Sequence, residues 1–282
     1  MLDIFYVKLI KKGQKMAGIL CIQINSVMND KTSNLNKVEN LLEQNKDKQL
    51  DMVLVPEFFS TNIAYEKYPE DEKGGQTIEK MCEFARKYNT NIVAGSVVRR
   101  VEDKYYNTSF AINRQGEIIA SYDKIHLYNY MGGNEGAFTS EGNKIVTVDF
   151  DFAKVGLAIC FDVRYPLHFN KLLKENVDII TLPTARLIPA EVYENQNALD
   201  NAKTMWYALN RTRAYDNLVY MVVSNQCGHV NNQLLALGNS MILAPNAEVI
   251  SSIDDKEGAI YSQIDIQYVK LMRSIYPIAK ID

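Results

Sequence analysis

The chain has 282 residues, 47% of them hydrophobic, and a formal net charge of −3. This is enough apolar material for one large α/β domain, and the charge gives no electrostatic footprint for nucleic acid or an anionic membrane surface. No apolar run reaches the roughly 18 residues of a membrane span, and the four dispersed cysteines (Cys21, Cys82, Cys160, Cys227) and three histidines lack disulfide-scaffold or metal-ligand spacing, which fits a reducing cytoplasm and no metal.

Taken in order, residues 1–16 run from a short apolar piece into bases, the reverse of a secretory signal. They are expected to be an N-terminal extension, with Met16 a candidate start, ahead of a single domain over 17–282. Residues 18–24 read as a strand and 34–49 as a helix with Leu35, Val38, Leu41 and Leu42 on one face. A short strand over 51–55 ends in Pro56-Glu57. A helix over 77–87 and a strand over 91–98 follow. Residues 104–113 and 117–122 form a hairpin around Arg114-Gln115-Gly116, and its second strand delivers Lys124.

Strands over 145–150 and 154–159 turn at Asp151-Phe152, and the second runs straight into Cys160-Phe161-Asp162-Val163-Arg164-Tyr165-Pro166. Residues 166–175 are helical and 177–182 form a strand. The polar stretch 184–199 reads either as a surface loop or as a pocket wall or lid. A long helix over 197–214 is followed by strands over 218–224, 236–244, 248–252 and 259–264, then a short helix. The alternation predicts a layered α/β fold without repeats.

Three apolar strands thus end in one reactive group each: Glu57, Lys124 and Cys160. Ligands of open α/β sheets bind at the carboxyl ends of strands. A thiol attacking a carbonyl must lose a proton, a carboxylate can carry it, and an ammonium stabilises thiolate and oxyanion. Each residue also has an ordinary reading: a buried apolar cysteine, a solvated acid, a surface lysine, or a structural Glu57–Lys124 ion pair. His126 is the obvious rival base, and it reads instead as a strand-end residue bracing the site.

Pro56-Glu57, Lys124-Ile125-His126-Leu127 and Gly156 through Pro166 together resemble the motifs of the nitrilase superfamily of carbon–nitrogen hydrolases. Arg211 through Tyr220, Ser224-Asn225, Gly238-Asn239-Ser240 and Pro245 through Glu248 extend the similarity over nearly the whole chain. The resemblance implies a four-layer α-β-β-α sandwich and a Glu57–Lys124–Cys160 triad that hydrolyses a small-molecule amide through a thioester. It also implies an oxyanion contact from the Phe161 N–H, no cofactor, and a homodimer packed through helices near the cysteine. A fourth acid between lysine and cysteine is expected at Glu135, with Glu141 as competitor; the family's usual proline before Gly142 is missing. The wording is closest to the omega-amidase and deaminated-glutathione amidase branch, which implies a carboxylate on the substrate. Arg164 is the first candidate to bind it, unless it pairs with Asp162, and Arg186 the second. An N-carbamoyl hydrolase and a non-catalytic binding member are the alternative readings.

Overall fold

The computed structural model describes residues 16–130 and 132–278. The expected extension over 1–16 therefore lies outside the described residues, Met16 excepted. In chain order the first half comprises β1 (Ala17–Gln23), α1 (Lys31–Glu43), β2 (Met52–Leu54), α2 (Gly75–Lys87), β3 (Asn91–Val101), β4 (Lys104–Ile112) and β5 (Ile118–Asp123). Then come β6 (Val146–Asp149), β7 (Lys154–Leu157), α3 (Pro166–Lys174), β8 (Ile179–Thr184), β9 (Leu187–Pro189), α4 (Ala190–Glu194) and α5 (Gln196–Asn217). The chain closes with β10 (Tyr220–Asn225), β11 (Cys227–His229), β12 (Leu234–Leu237), β13 (Met241–Leu243), β14 (Val249–Ser252), β15 (Gly258–Ile264) and α6 (Ile266–Ile275).

Two six-stranded sheets result, ordered β15-β1-β2-β3-β4-β5 and β14-β13-β10-β8-β7-β6. The central pairs β1–β2, β2–β3, β7–β8 and β8–β10 are parallel. Their strands are apolar on both faces because each sheet is covered twice. In β1, Ile19 and Cys21 point into the core between the sheets, while Leu20 and Ile22 point to α1 and α2. In β10, Tyr220 and Val222 face the other sheet, and Met221 and Val223 face the layer of α3 and α5. This period-two division yields the expected four layers, helix–sheet–sheet–helix. Among the described residues no helix is long and apolar enough to cross a membrane.

Two stretches depart from the sequence reading. The strand expected over 236–244 is split into β12 and β13, because Gly238 and Asn239 both take positive φ (67° and 58°). The polar stretch 184–199 is ordered: β9 pairs antiparallel with β12, and α4 leads into α5. Residues 184–186 lie at the carboxyl end of β8, on the side where β2, β5 and β7 also end, and the backbone there reaches Glu57.

Candidate active site

β2 ends two residues short of Pro56, and Gly95 of β3 passes directly beneath the turn. A Cβ on Gly95 would sit 1.8 Å from the Pro56 carbonyl oxygen, so no side chain fits there. Phe58 takes a left-handed φ of 50°, and the Gln226 Nε2 donates to the Glu57 carbonyl at 2.7 Å. The chain therefore turns sharply and leaves the Glu57 side chain, 2% exposed, pointing along the strand ends.

Lys124 follows β5. Its N–H donates to the Asn107 carbonyl of β4 at 2.8 Å, and its main-chain oxygen accepts from Gly142 at 2.9 Å. The ammonium is buried and donates to Glu57 Oε1 at 2.9 Å and to Glu135 Oε2 at 2.8 Å. Glu135, also buried, opens a short 3-10 turn, and its Oε2 further accepts the Tyr128 N–H at 2.8 Å. Glu141, the competing acid, is exposed. Burial alone would lower the lysine's pKa, but the flanking carboxylates of Glu57 and Glu135 outweigh it and hold the ammonium charged well beyond its ordinary range.

Cys160 begins a 3-10 turn over Cys160–Arg164 with a left-handed φ of 44°. Such a conformation costs a non-glycine residue of order 1–3 kcal/mol and persists only where its surroundings enforce it. The enforcement comes from Asp162. Its Oδ2 accepts the Ile159 N–H at 2.9 Å and the Tyr122 hydroxyl at 2.7 Å. Its Oδ1 accepts the His126 N–H at 3.1 Å and lies 2.7 Å from His126 Nδ1. One buried carboxylate thus fastens the end of β5, the segment after Lys124 and the end of β7 around the cysteine. These donors hold Asp162 below the usual carboxylate range despite its burial. Phe161 is the second residue of this turn, which the Asp162 N–H to Ile159 carbonyl hydrogen bond closes at 3.0 Å.

The thiol lies within the electrostatic reach of Glu57, Lys124 and the Ala185 N–H. Burial and the negative charge of Glu57 push it well above the usual thiol value; Lys124 and the Ala185 N–H offset part of this. Ala185 also donates to Glu57 Oε2 at 2.9 Å. It is placed by Asn225, whose Oδ1 accepts from Thr184 Oγ1 and from the Arg186 N–H, both at 2.8 Å. Asn225 is in turn held by Gly238 and Ser240. The downstream motifs Ser224-Asn225 and Gly238-Asn239-Ser240 therefore serve the floor of the site.

The structure thus gathers Glu57, Lys124, Glu135 and Cys160 at the carboxyl ends of β2, β5 and β7. It does not pair Arg164 with Asp162. Arg164 is exposed and has no acidic partner among the described residues, because Asp162 is taken up by the four donors above. Arg186 is half-buried, and its Nε is enclosed without a hydrogen-bond partner. His126 turns to Asp162 and stacks on Tyr165 with ring centroids 3.6 Å apart. His126, Asp162 and His168 are also close enough to share an ion. However, the oxygens of Asp162 already receive four hydrogen bonds, so the trio reads as a structural knot. Sequence reasoning missed Asn107, Tyr122 and the Ala185 N–H; only strand register reveals the first two, and a backbone donor carries no side-chain signal.

The arrangement can hold a neutral thiol beside a base, with an ammonium and backbone N–H groups where an oxyanion would form. The chain is 24% identical to omega-amidase NIT3 of Saccharomyces cerevisiae over 277 residues, covering 93% of this chain and 91% of the relative. It is 25% identical to human omega-amidase NIT2 over 268 residues, covering 93% and 92% of the two chains. The crystal structure of S. cerevisiae Nit3, a member of branch 10 of the nitrilase superfamily, superposes with a TM-score of 0.81 at 23% identity, over 96% of this chain and 98% of that one. The model of the carbon-nitrogen hydrolase family matches residues 19–274, which include every residue of the site. With that match spanning both sheets and all the strand ends that carry the site, the chain belongs to the carbon-nitrogen hydrolase family.

Proposed function

We propose that the protein hydrolyses the carbon–nitrogen bond of a small, carboxylate-bearing amide, with Cys160 as nucleophile. The observation that carries this reading is the buried contact of Lys124 with Glu57 and Glu135 beside a thiol that burial and Glu57 keep protonated. A neutral thiol needs a base at the moment of attack, and Glu57 is the carboxylate that acts on it. The Cys160 sulfur forms a bond to the amide carbonyl carbon while its proton passes to Glu57. The oxyanion is held by Lys124 and the Phe161 N–H. Glu57 then gives the proton to the departing nitrogen, the carbon–nitrogen bond breaks, and ammonia or an amine leaves a thioester. Water, deprotonated by Glu57, attacks the thioester, and the acid and the free thiol are released. These steps use only side chains, backbone N–H groups and water.

Two features favour a carboxylate on the substrate. Arg186 directly follows the residue whose N–H donates to Glu57, and its enclosed Nε lacks a partner; a guanidinium so placed suits a planar anion. The relatives NIT3 and NIT2 carry the name omega-amidase. We further assign the protein to the cytoplasm, since all four cysteines are free thiols. A homodimer is expected to form through α3 and α5, which expose Leu167 and Met205 near the cysteine turn.

The test is ammonia release by the purified protein beside Cys160→Ala. The panel holds α-ketoglutaramate-type omega-amides, deaminated glutathione, N-carbamoyl amino acids and a simple nitrile. Turnover of a carboxylate-bearing amide that disappears in the variant is the expected result. Turnover of the carbamoyl compounds alone would replace the amide assignment, and turnover that survives in Cys160→Ala would end it.

A further inference from the structure

Asn107 is fully buried on β4 and its side-chain nitrogen lies between two acids, 2.9 Å from Glu57 Oε1 and 2.7 Å from Glu135 Oε1. Both neighbours are acceptors, so the amide must present its NH2 to them and not its oxygen. The oxygen then faces inward, where Oδ1 is enclosed without a hydrogen-bond partner. Buried orphan acceptors are rare in folded proteins. This one is tolerated because the same side chain fills the gap between the two carboxylates with donors.

The consequence falls on Glu57. Its Oε1 receives both the Lys124 ammonium and the Asn107 NH2. Among the described residues its Oε2 receives the Ala185 N–H at 2.9 Å, and that same N–H also acts on the Cys160 thiol. A proton on Oε1 would oppose two donors, whereas a proton on Oε2 is shared with sulfur. The amide also separates Glu57 from Glu135. Without it, the Lys124 ammonium is the donor left to bridge them, and Glu57 Oε1 keeps one donor in place of two.

We infer that Asn107 is a positioning residue that acts through Glu57: by occupying Oε1 together with Lys124 it reserves Oε2 as the oxygen that takes the thiol's proton and returns it to the leaving nitrogen. The assignment rests on the reading of Glu57 as base and Cys160 as nucleophile. The titratable groups facing Glu57 among the described residues are Lys124 after β5, Glu135 in the following loop and Cys160 at the turn after β7.

The test compares wild type, Asn107→Leu (similar volume, no donor) and Asn107→Ser (too short to bridge both acids) by pH profiles of kcat and kcat/KM on the best amide of the panel. Cys160→Ala serves as control, and Tm reports folding. In Asn107→Leu, kcat near neutral pH should fall roughly tenfold to a hundredfold, a fraction of what a positioned base contributes. KM should stay within about twofold, and the acidic limb of kcat/KM should move up by about one pH unit, because the carboxylate form of Glu57 has lost a donor. Asn107→Ser, which admits water, should show a smaller shift in the same direction and decides the matter if the leucine variant does not fold. A profile that superposes on the wild type, or a loss confined to KM or to the folded fraction, overturns the assignment while leaving the triad intact. Absence of Cys160-dependent turnover in the wild type instead overturns the reading beneath it.

Discussion

Replacing Lys124 with methionine removes the one cation that, among the described residues, is enclosed with Glu57 and Glu135, and leaves a side chain of similar length. The ammonium lies 2.9 Å from Glu57 Oε1 and 2.8 Å from Glu135 Oε2, so those two oxygens are within about 6 Å of each other. At ~5 Å and an effective dielectric of ~20, two like unit charges repel by about 3 kcal/mol. Breaking a buried ion pair by deleting one partner costs about 3–5 kcal/mol by independent measure. Lys124→Met should therefore lose about 4 kcal/mol of unfolding free energy at pH 8. The loss should depend on pH in a definite direction. With the ammonium gone, the folded state takes up a proton between the two acids that the unfolded chain does not hold at the same pH. The variant therefore gains stability relative to wild type as pH falls toward 5, by about 1.4 kcal/mol for each unit of that shift. Urea denaturation at pH 8 and 5.5 measures both effects, and adding Glu135→Gln to Lys124→Met should restore part of the loss at pH 8. A loss below about 1 kcal/mol, or one equal at both pH values, would refute the claim that the ammonium offsets those two carboxylates.

Three further outcomes are expected. Alkylation of Cys160 by iodoacetamide should be slow at pH 7 and still rising at pH 10, since burial and Glu57 hold the thiol protonated; a rate already at its plateau at pH 7 would contradict this. Gly95→Ala should lower Tm by several degrees and reduce kcat, because its Cβ would meet the Pro56 carbonyl at 1.8 Å and displace Glu57; unchanged Tm and kcat would show that the turn can yield. Burial holds His168 below the ordinary histidine value. Its neutral form therefore contributes stability that is complete above the unfolded value of about 6.5 and is lost as pH falls through the lower folded value. The stability of wild type between pH 7.5 and 5 should fall more steeply than that of His168→Asn, and parallel slopes would assign the acid sensitivity elsewhere.

The order of elements was legible in the chain because the strands carry apolar residues on both faces and end abruptly at Pro56-Glu57, Lys124 and Cys160. Those breaks also announced the three groups that the strand ends bring together. The sequence could not divide residues 236–244 into two strands, since Gly238-Asn239 marks a turn only when both take positive φ. Nor could it separate Glu135 from Glu141 by type; burial against Lys124 separates them. Spacing placed Arg164 beside Asp162, but in space Asp162 is claimed by Tyr122, His126 and Ile159, two of them more than 30 residues away in the chain.

What the sequence determined by itself was which reactive groups exist and that each sits at the end of a buried strand, because strand periodicity and turn chemistry are local. What only the tertiary structure decided was which atoms face one another. Asn107 lies between two acids, the Ala185 N–H donates to Glu57, and Asp162 fastens the cysteine turn. Those pairings come from sheet register and from two sheets stacked face to face, and hydrogen-bond partners brought together by register leave no mark in the spacing of residues along the chain.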